Sequence, residues 1–179
     1  MSAAALELFA ERRWTVPERL SDDTAVDPYR FLFGWVWTPG PIVVYVGLNP
    51  STMTATKTDA TGRKWRGFAE RMGCGGFIAV NAFALRSTDP KGLNQRAGWD
   101  SVGAGNDDAI LAAIAFPGVE KVVACWGRPP SVKLVGRLWE VRNMLAKRCD
   151  LLCWGLTKEG QPRHPLMLPY STPLEALCA

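Results

Sequence analysis

Ile42-Val43-Val44-Tyr45-Val46 runs directly into Gly47-Leu48-Asn49-Pro50-Ser51, and this stretch decides how the rest of the chain is read. An unbroken run of β-branched and aromatic residues has no polar face, so it suits a central strand buried on both sides. Gly47 lets a ligand approach the backbone closely. Pro50 fixes the chain just beyond Asn49 and biases Asn49 itself toward extended backbone.

Three further runs repeat the pattern. Phe77-Ile78-Ala79-Val80 continues through Asn81 to Ala82-Phe83, Val122-Val123-Ala124-Cys125-Trp126 ends at Gly127, and Leu151-Leu152-Cys153-Trp154 ends at Gly155. Helical segments fall between them: Lys64 to Met72, stopped by Gly73; Asp107 to Phe116, closed by Pro117-Gly118; and an amphipathic stretch from Val132 to Arg148. Short buried strands alternating with helices imply right-handed crossovers. The expected fold is α/β, with three α/β/α layers around a central, mostly parallel four-stranded sheet. Before it, residues 1–40 read as an extension. A short helix spans Ser2 to about Arg13, and an irregular stretch is broken by Pro17, Pro28 and Pro39. The alternation of Phe31, Phe33, Trp35 and Trp37 there suggests an edge strand. The segment from Asn49 to Arg63 reads as a polar loop and that from Thr157 to Pro173 as a polar, proline-rich tail.

The 179 residues suffice for one domain spanning 1–179, and 47% hydrophobic with 21% charged residues excludes long disorder. Lys and Arg number 21 against 17 Asp and Glu, a net charge of +4 that permits a polyanionic partner without demanding one. No apolar stretch approaches the ~18 residues of a membrane span. Acidic residues interrupt the apolar start, which is wrong for a secretory signal, so a cytoplasmic monomer without membrane contact is expected. The 5 cysteines are odd in number and scattered, like free thiols of a reducing compartment. Cys149 and Cys153 form the only close pair, and no histidine lies near them, so no metal is expected. Gly127-Arg128-Pro129-Pro130-Ser131 lacks the lysine of a phosphate-binding P-loop, no dinucleotide fingerprint occurs, and no cofactor is expected. The chain has 8 tryptophans, some of which are expected to line a groove because a buried indole N–H needs a partner.

In sheets of this kind ligands bind beyond the carboxyl ends of the strands, where each run meets polar or glycine-rich sequence. Asn49 offers an amide donor and acceptor but no charge; taken alone it reads first as an Asx-turn closing the strand and second as a ligand contact. Asn81, at the end of a buried run, must be hydrogen-bonded by backbone or by a ligand edge that presents an acceptor beside a donor, as uracil does with O4 and N3–H. His164, the single histidine, lies in Gln161-Pro162-Arg163-His164-Pro165, where flanking prolines stiffen the backbone. A rigid donor near a developing anion is what electrostatic catalysis requires. Arg163, Lys158 and Arg128 make the same rim basic, suited to phosphates.

These elements together resemble the uracil-DNA glycosylase superfamily. Gly47-Leu48-Asn49-Pro50-Ser51 is similar to its first motif, in the G-I-N-P-G form of the mismatch-specific branch. Gly62-Arg63-Lys64-Trp65-Arg66-Gly67 is similar to the G-R-P-F-V-G segment of the thermophilic branch. Phe77 to Asp89-Pro90 is similar to the strand carrying the uracil-reading Asn, and His164-Pro165-Leu166-Met167-Leu168 to the late H-P-S-P-L motif. The chain also resembles an uncharacterised bacterial family with L-N-P-S, N-x-F-A-x-R-x-T-D-P and G-x-P-R-H-P-L signatures.

The glycosylase resemblance implies a uracil-DNA glycosylase-like fold and an enzyme that hydrolyses the N-glycosidic bond of uracil, or of other deaminated bases, in uracil-containing DNA during base excision repair. It implies that Trp65 stacks on the extruded base, Asn81 reads it, and His164 donates to O2. Gly47, Leu48 and Pro50 would line the pocket, and Leu166 or Met167 would wedge into the vacated stack. Asn49 would place water, with Asp59 supplying the carboxylate that the efficient branch carries in its first motif and that Asn49 cannot provide. Ser51, Thr52, Lys57, Arg63 and Arg163 would hold phosphates. The iron–sulfur cysteines of the thermophilic branch have no matching set here. A non-catalytic nucleic-acid or nucleotide-binding module on the same fold is the alternative, and an enzyme acting on a free nucleoside or modified nucleotide is a third reading.

Overall fold

The computed structural model describes residues 18–21, 28–50, 58–87 and 100–177. Its strands are β1 (Glu18–Ser21), β2 (Leu32–Val36), β3 (Ile42–Gly47), β4 (Gly76–Asn81), β5 (Val119–Ala124), β6 (Leu151–Cys153) and β7 (Glu175–Ala176). Its α-helices are α1 (Ala60–Arg71), α2 (Asn106–Ile114) and α3 (Val135–Ala146), and single 3₁₀ turns occupy Val132–Leu134 and Pro165–Met167. The expected helix at Ser2 to Arg13 lies outside the described residues.

One 7-stranded sheet runs in the order β1-β2-β4-β3-β5-β6-β7. The four apolar runs pair in parallel as β4-β3-β5-β6, with Gly47 level with Asn81 and Val46 level with Ala124. The sheet is wider than the expected four strands, because β1 and β2 extend one side and β7 the other, all antiparallel. The expected edge strand is likewise corrected. β2 sits between β1 and β4, and all its residues are buried, since Leu32 and Val36 make its second face apolar too.

Alternation along β3 shows how the layers form. Val43 and Tyr45 face α1, packing with Trp65, Phe68, Ala69, Phe77 and Trp154 in an aromatic core. Ile42, Val44 and Val46 face α2 and α3, packing with Ile110, Ala113, Leu138, Val141 and Leu145. Crossovers that move in opposite directions across a sheet must put their helices on opposite faces if both are right-handed. The β3-to-β4 and β5-to-β6 crossovers obey this, so three layers result. Each large side chain removed from water contributes about 1.5–3 kcal/mol. Tyr45, fully buried, avoids a polar penalty because its hydroxyl donates to the Trp65 carbonyl at 3.0 Å.

Two helices differ from expectation at their starts. α1 begins at Ala60, four residues before Lys64, because the Asp59 carboxylate caps it by accepting from the Gly62 N–H at 2.7 Å. The segment from Val132 opens as a 3₁₀ turn before α3, with the Ser131 hydroxyl accepting from the Lys133 N–H.

Candidate functional site

The parallel strands change direction of progress at β3, between β4 and β5, and a crevice beyond their carboxyl ends is the expected ligand position. Gly47 and Asn81 end β3 and β4 side by side. A Cβ at Gly47 would lie 2.7 Å from Asn81 Oδ1 and 3.7 Å from Trp65 Cζ2, so only glycine leaves room for that amide. Asn81 is 3% exposed, with its Oδ1 set against Gly47. Its backbone is held: Asn106 Nδ2 donates to the carbonyls of Asn81 at 3.0 Å and Ala82 at 3.1 Å, and Arg137 Nε donates to Ala82 O at 3.0 Å.

Trp65 packs beside Gly47, 4% exposed, with one ring face stacked on Tyr45 at 5.5 Å between centroids. Only its remaining face or edge is left to meet a base. Cys125 lies beside it, and burial pushes that thiol up to about 12, so it stays protonated. Burial also raises Cys74 and Cys149, which removes all three as ready nucleophiles.

Asn49 is tied down. Its amide nitrogen donates to Pro50 O at 3.2 Å and to Ser87 O at 2.9 Å, stapling the loop after β3 to the segment after β4. Leu48 and Pro50 are buried beside it.

His164 stands over the end of β5, its Cβ 3.0 Å from where a Cβ on Gly127 would sit. The loop that carries it is braced at several points. Gly127 N–H donates to Pro162 O at 2.9 Å, Arg163 N–H to Gly155 O at 3.0 Å, and Thr157 N–H to Gln161 O at 2.7 Å. The buried Trp126 indole donates to Gln161 Oε1 at 2.8 Å. His164 Nδ1 accepts the Leu166 N–H at 3.3 Å, which leaves the proton of the neutral ring on Nε2. Burial holds its pKa below the ordinary value, and the Asp59 carboxylate opposes that shift. Asp59 therefore caps α1 and bears on His164 at the same time.

Beyond His164, Leu166 is 40% and Met167 88% exposed on the 3₁₀ turn that packs against α1. Arg163 is exposed, as is Arg63, whose guanidinium donates to Thr58 O at 3.2 Å. Ser51, Thr52 and Lys57 lie outside the described residues, as do Asp89 and Pro90. The four described cysteines Cys74, Cys125, Cys149 and Cys153 are free thiols. Among the described residues no cluster of three or more His, Cys, Asp or Glu could hold a metal, and no helix is long and apolar enough to cross a membrane.

Residues 30–166 match the model of a family described as a protein of unknown function, DUF1643. The chain belongs to the DUF1643 family. No curated protein and no solved structure matches it. No glycosylase family is matched, so the uncharacterised-family resemblance is the one that a family match accompanies. The DUF1643 region takes in Gly47, Asn49, Asp59, Trp65, Asn81 and His164 and stops at Leu166.

Sequence reasoning missed the groups that hold this DUF1643 site in shape. Asn106, Arg137, Ser87 and Gln161 each act across a long sequence separation, and nothing local to them signals the partner.

Proposed function

We propose that this DUF1643 protein is a DNA glycosylase that hydrolyses the N-glycosidic bond of uracil in DNA, on a domain of uracil-DNA glycosylase type. The observation that carries the reading is the buried Asn81 amide at the carboxyl end of β4, its Oδ1 set against Gly47, which Trp65 also flanks. A ligand edge with adjoining acceptor and donor can pair with that amide, and an edge that leaves a buried amide unpaired costs ~1–3 kcal/mol. The parallel order β4-β3-β5-β6, with α1 on one face and α2 and α3 on the other, supports the fold part of the proposal.

The base must leave the stack before its glycosidic carbon can be reached. Exposed Leu166 and Met167 suit a wedge that fills the gap. Asn81 reads O4 and N3 over the edge of Trp65. The C1′–N1 bond breaks with its electron pair passing to the base, and negative charge grows on O2. A neutral His164 with its proton on Nε2 donates to that oxygen without surrendering the proton. The sugar passes through an oxocarbenium-like state. Water adds its oxygen to C1′, and its proton passes to Asp59 and on to the released base.

The test uses a uracil-containing oligonucleotide followed by alkaline cleavage of abasic sites. Strand breakage is expected, and intact strands at high enzyme concentration would overturn the proposal. His164→Ala is expected to slow base release by ~10²–10³ with DNA binding little changed; equal loss of both would remove His164 from the chemistry. Asn81→Asp is expected to weaken uracil selection.

A second reading, a non-catalytic nucleic-acid or nucleotide-binding module, is favoured by the state of Asn49. With its N–H groups given to the Pro50 and Ser87 carbonyls, it has no free donor to orient water. That reading predicts salt-dependent binding with no abasic product.

A further inference from the structure

Among the described residues the large exposed apolar side chains are Val132, Trp139, Leu156, Leu166 and Met167, and every one lies on a segment that follows β5 or β6. Two adjoining clefts take in two of them, Trp139 and Val132. Trp139, Arg142 and Pro162 line the first, Pro129, Pro130 and Val132 line the second, and Gln161 borders both. Gln161 and Pro162, which line the first cleft, belong to the same braced loop as His164.

Charge is concentrated on the same ground. Segments 127–142 and 155–168 hold six cations and two carboxylates, a net +4 that equals the formal charge of the whole chain. Arg137 is spent internally, 10% exposed and held by Asp107 and Glu140. The others are Arg128, which pairs with Glu159 at 3.3 Å, Lys133, Arg142, Lys158 and Arg163.

The partner must match both cations and a flat apolar ring. Trp139 is 48% exposed, and the Arg142 guanidinium sits 4.9 Å from its ring centroid. Duplex DNA would satisfy the cations but keeps its bases stacked inside, with nothing to offer the indole. An acidic polypeptide would match the charge but brings a flat ring only where it carries an aromatic residue. A single strand presents phosphates and unpaired bases together, and bases stack on aromatic rings without regard to sequence.

We infer that the Trp139 face is a path for single-stranded nucleic acid leading to the His164 crevice, with a base stacked on Trp139 and phosphates held by Arg128, Lys133 and Arg142. The inference rests on the glycosylase reading only in taking a nucleobase as what the crevice receives. It specifies that the strand flanking that base is unpaired.

The test is fluorescence anisotropy of the full chain with labelled, uracil-free oligothymidylate, its duplex with oligoadenylate, and an abasic strand of the same length. Oligothymidylate is expected to bind tighter than the duplex or the abasic strand. Trp139→Ala is expected to weaken oligothymidylate binding about tenfold, in keeping with the usual worth of one base–aromatic stack, while Trp139→Phe keeps most of it. Unchanged binding by Trp139→Ala, a preference for duplex, or equal displacement by polyglutamate would overturn the path, the last by making the surface a protein contact. Because the probes lack uracil, the two proposals fail separately. Base release without Trp139-dependent binding removes the path alone, and Trp139-dependent binding without base release removes the glycosylase alone.

Discussion

Asn106, on the first turn of α2, holds Asn81 in place through the backbone: its side-chain amide donates to the Asn81 carbonyl at 3.0 Å and to the next carbonyl, Ala82, at 3.1 Å. Asn106 is 1% exposed, and its own Oδ1 has no partner. The residue thus accepts one polar cost in order to satisfy two carbonyls at the carboxyl end of β4, which Arg137 completes from α3.

Asn106→Ala should therefore lower stability by roughly 2 kcal/mol, the loss of two buried hydrogen bonds offset by removal of one orphaned oxygen. Urea unfolding with an unchanged slope is the measurement. A midpoint equal to that of the parent would show that water replaces the amide at no cost. Asn106→Asp should be worse than Ala, since a carboxylate would face two carbonyls as a third acceptor.

The single histidine makes its titration directly readable by NMR. Burial lowers the His164 pKa, and Asp59 raises it in part. The midpoint should fall below the ordinary value of 6.5, and Asp59→Asn should move it lower still. The unfolded chain then binds a proton that the folded chain does not, between the lowered native pKa and 6.5. This contribution to stability is complete above that window and is lost as pH falls through it. His164→Gln should flatten the dependence, and a native midpoint above 6.5 would reverse the sign and refute the assignment.

Asp59 has two separable tasks. Asp59→Ala should cost ~1 kcal/mol by uncapping α1, whereas Asn caps a helix about as well and should cost little. If Asp59 also takes the proton from water, Asp59→Asn should abolish base release while leaving thermal stability near that of the parent. Loss of stability in both variants alike would point to the charge, and not to the cap, as what α1 needs.

Gly67 faces Tyr170 so closely that a Cβ there would lie 2.5 Å from the phenol oxygen. The Tyr170 ring carries Lys64 and Arg71 at 4.0 Å each and packs edge-on against Phe68. Gly67→Ala should displace the ring and destabilise by about 1–3 kcal/mol, as overpacking does, despite the better helix propensity of alanine. In the Tyr170→Ala background the same change should be neutral or mildly stabilising, and additive effects in this double-mutant cycle would disprove the contact.

The four parallel strands were legible because each is an unbroken apolar run cut off by glycine or asparagine, a pattern that little but a doubly covered strand produces. β1 and β7 were not, since Glu18–Ser21 and Glu175–Ala176 have no apolar periodicity and owe their pairing to neighbours. The start of α1 was hidden because its cap and first turn, from Asp59 to Arg63, consist of polar and small residues that read as loop. For the site, the strand ends pointed to Gly47, Asn81 and His164, and the structure sets Gly47 level with Asn81 at the ends of β3 and β4 and His164 against Gly127. They could not show that Asn49 spends its donors on Ser87, 38 residues away, or that Trp65 has already stacked one face on Tyr45. Those outcomes depend on contacts between elements, which spacing along one element does not encode.

The braces on the 155–164 loop bear on the heat of ligand association. With the Gly127, Arg163 and Thr157 amides and the Trp126 indole all engaged within the fold, the imidazole is delivered on a scaffold whose ordering was completed during folding. A ligand held by His164 would meet this loop already ordered. Calorimetry should accordingly find no heat-capacity contribution from folding of residues 155–164, and Gln161→Ala, which releases the Trp126 indole, should introduce one.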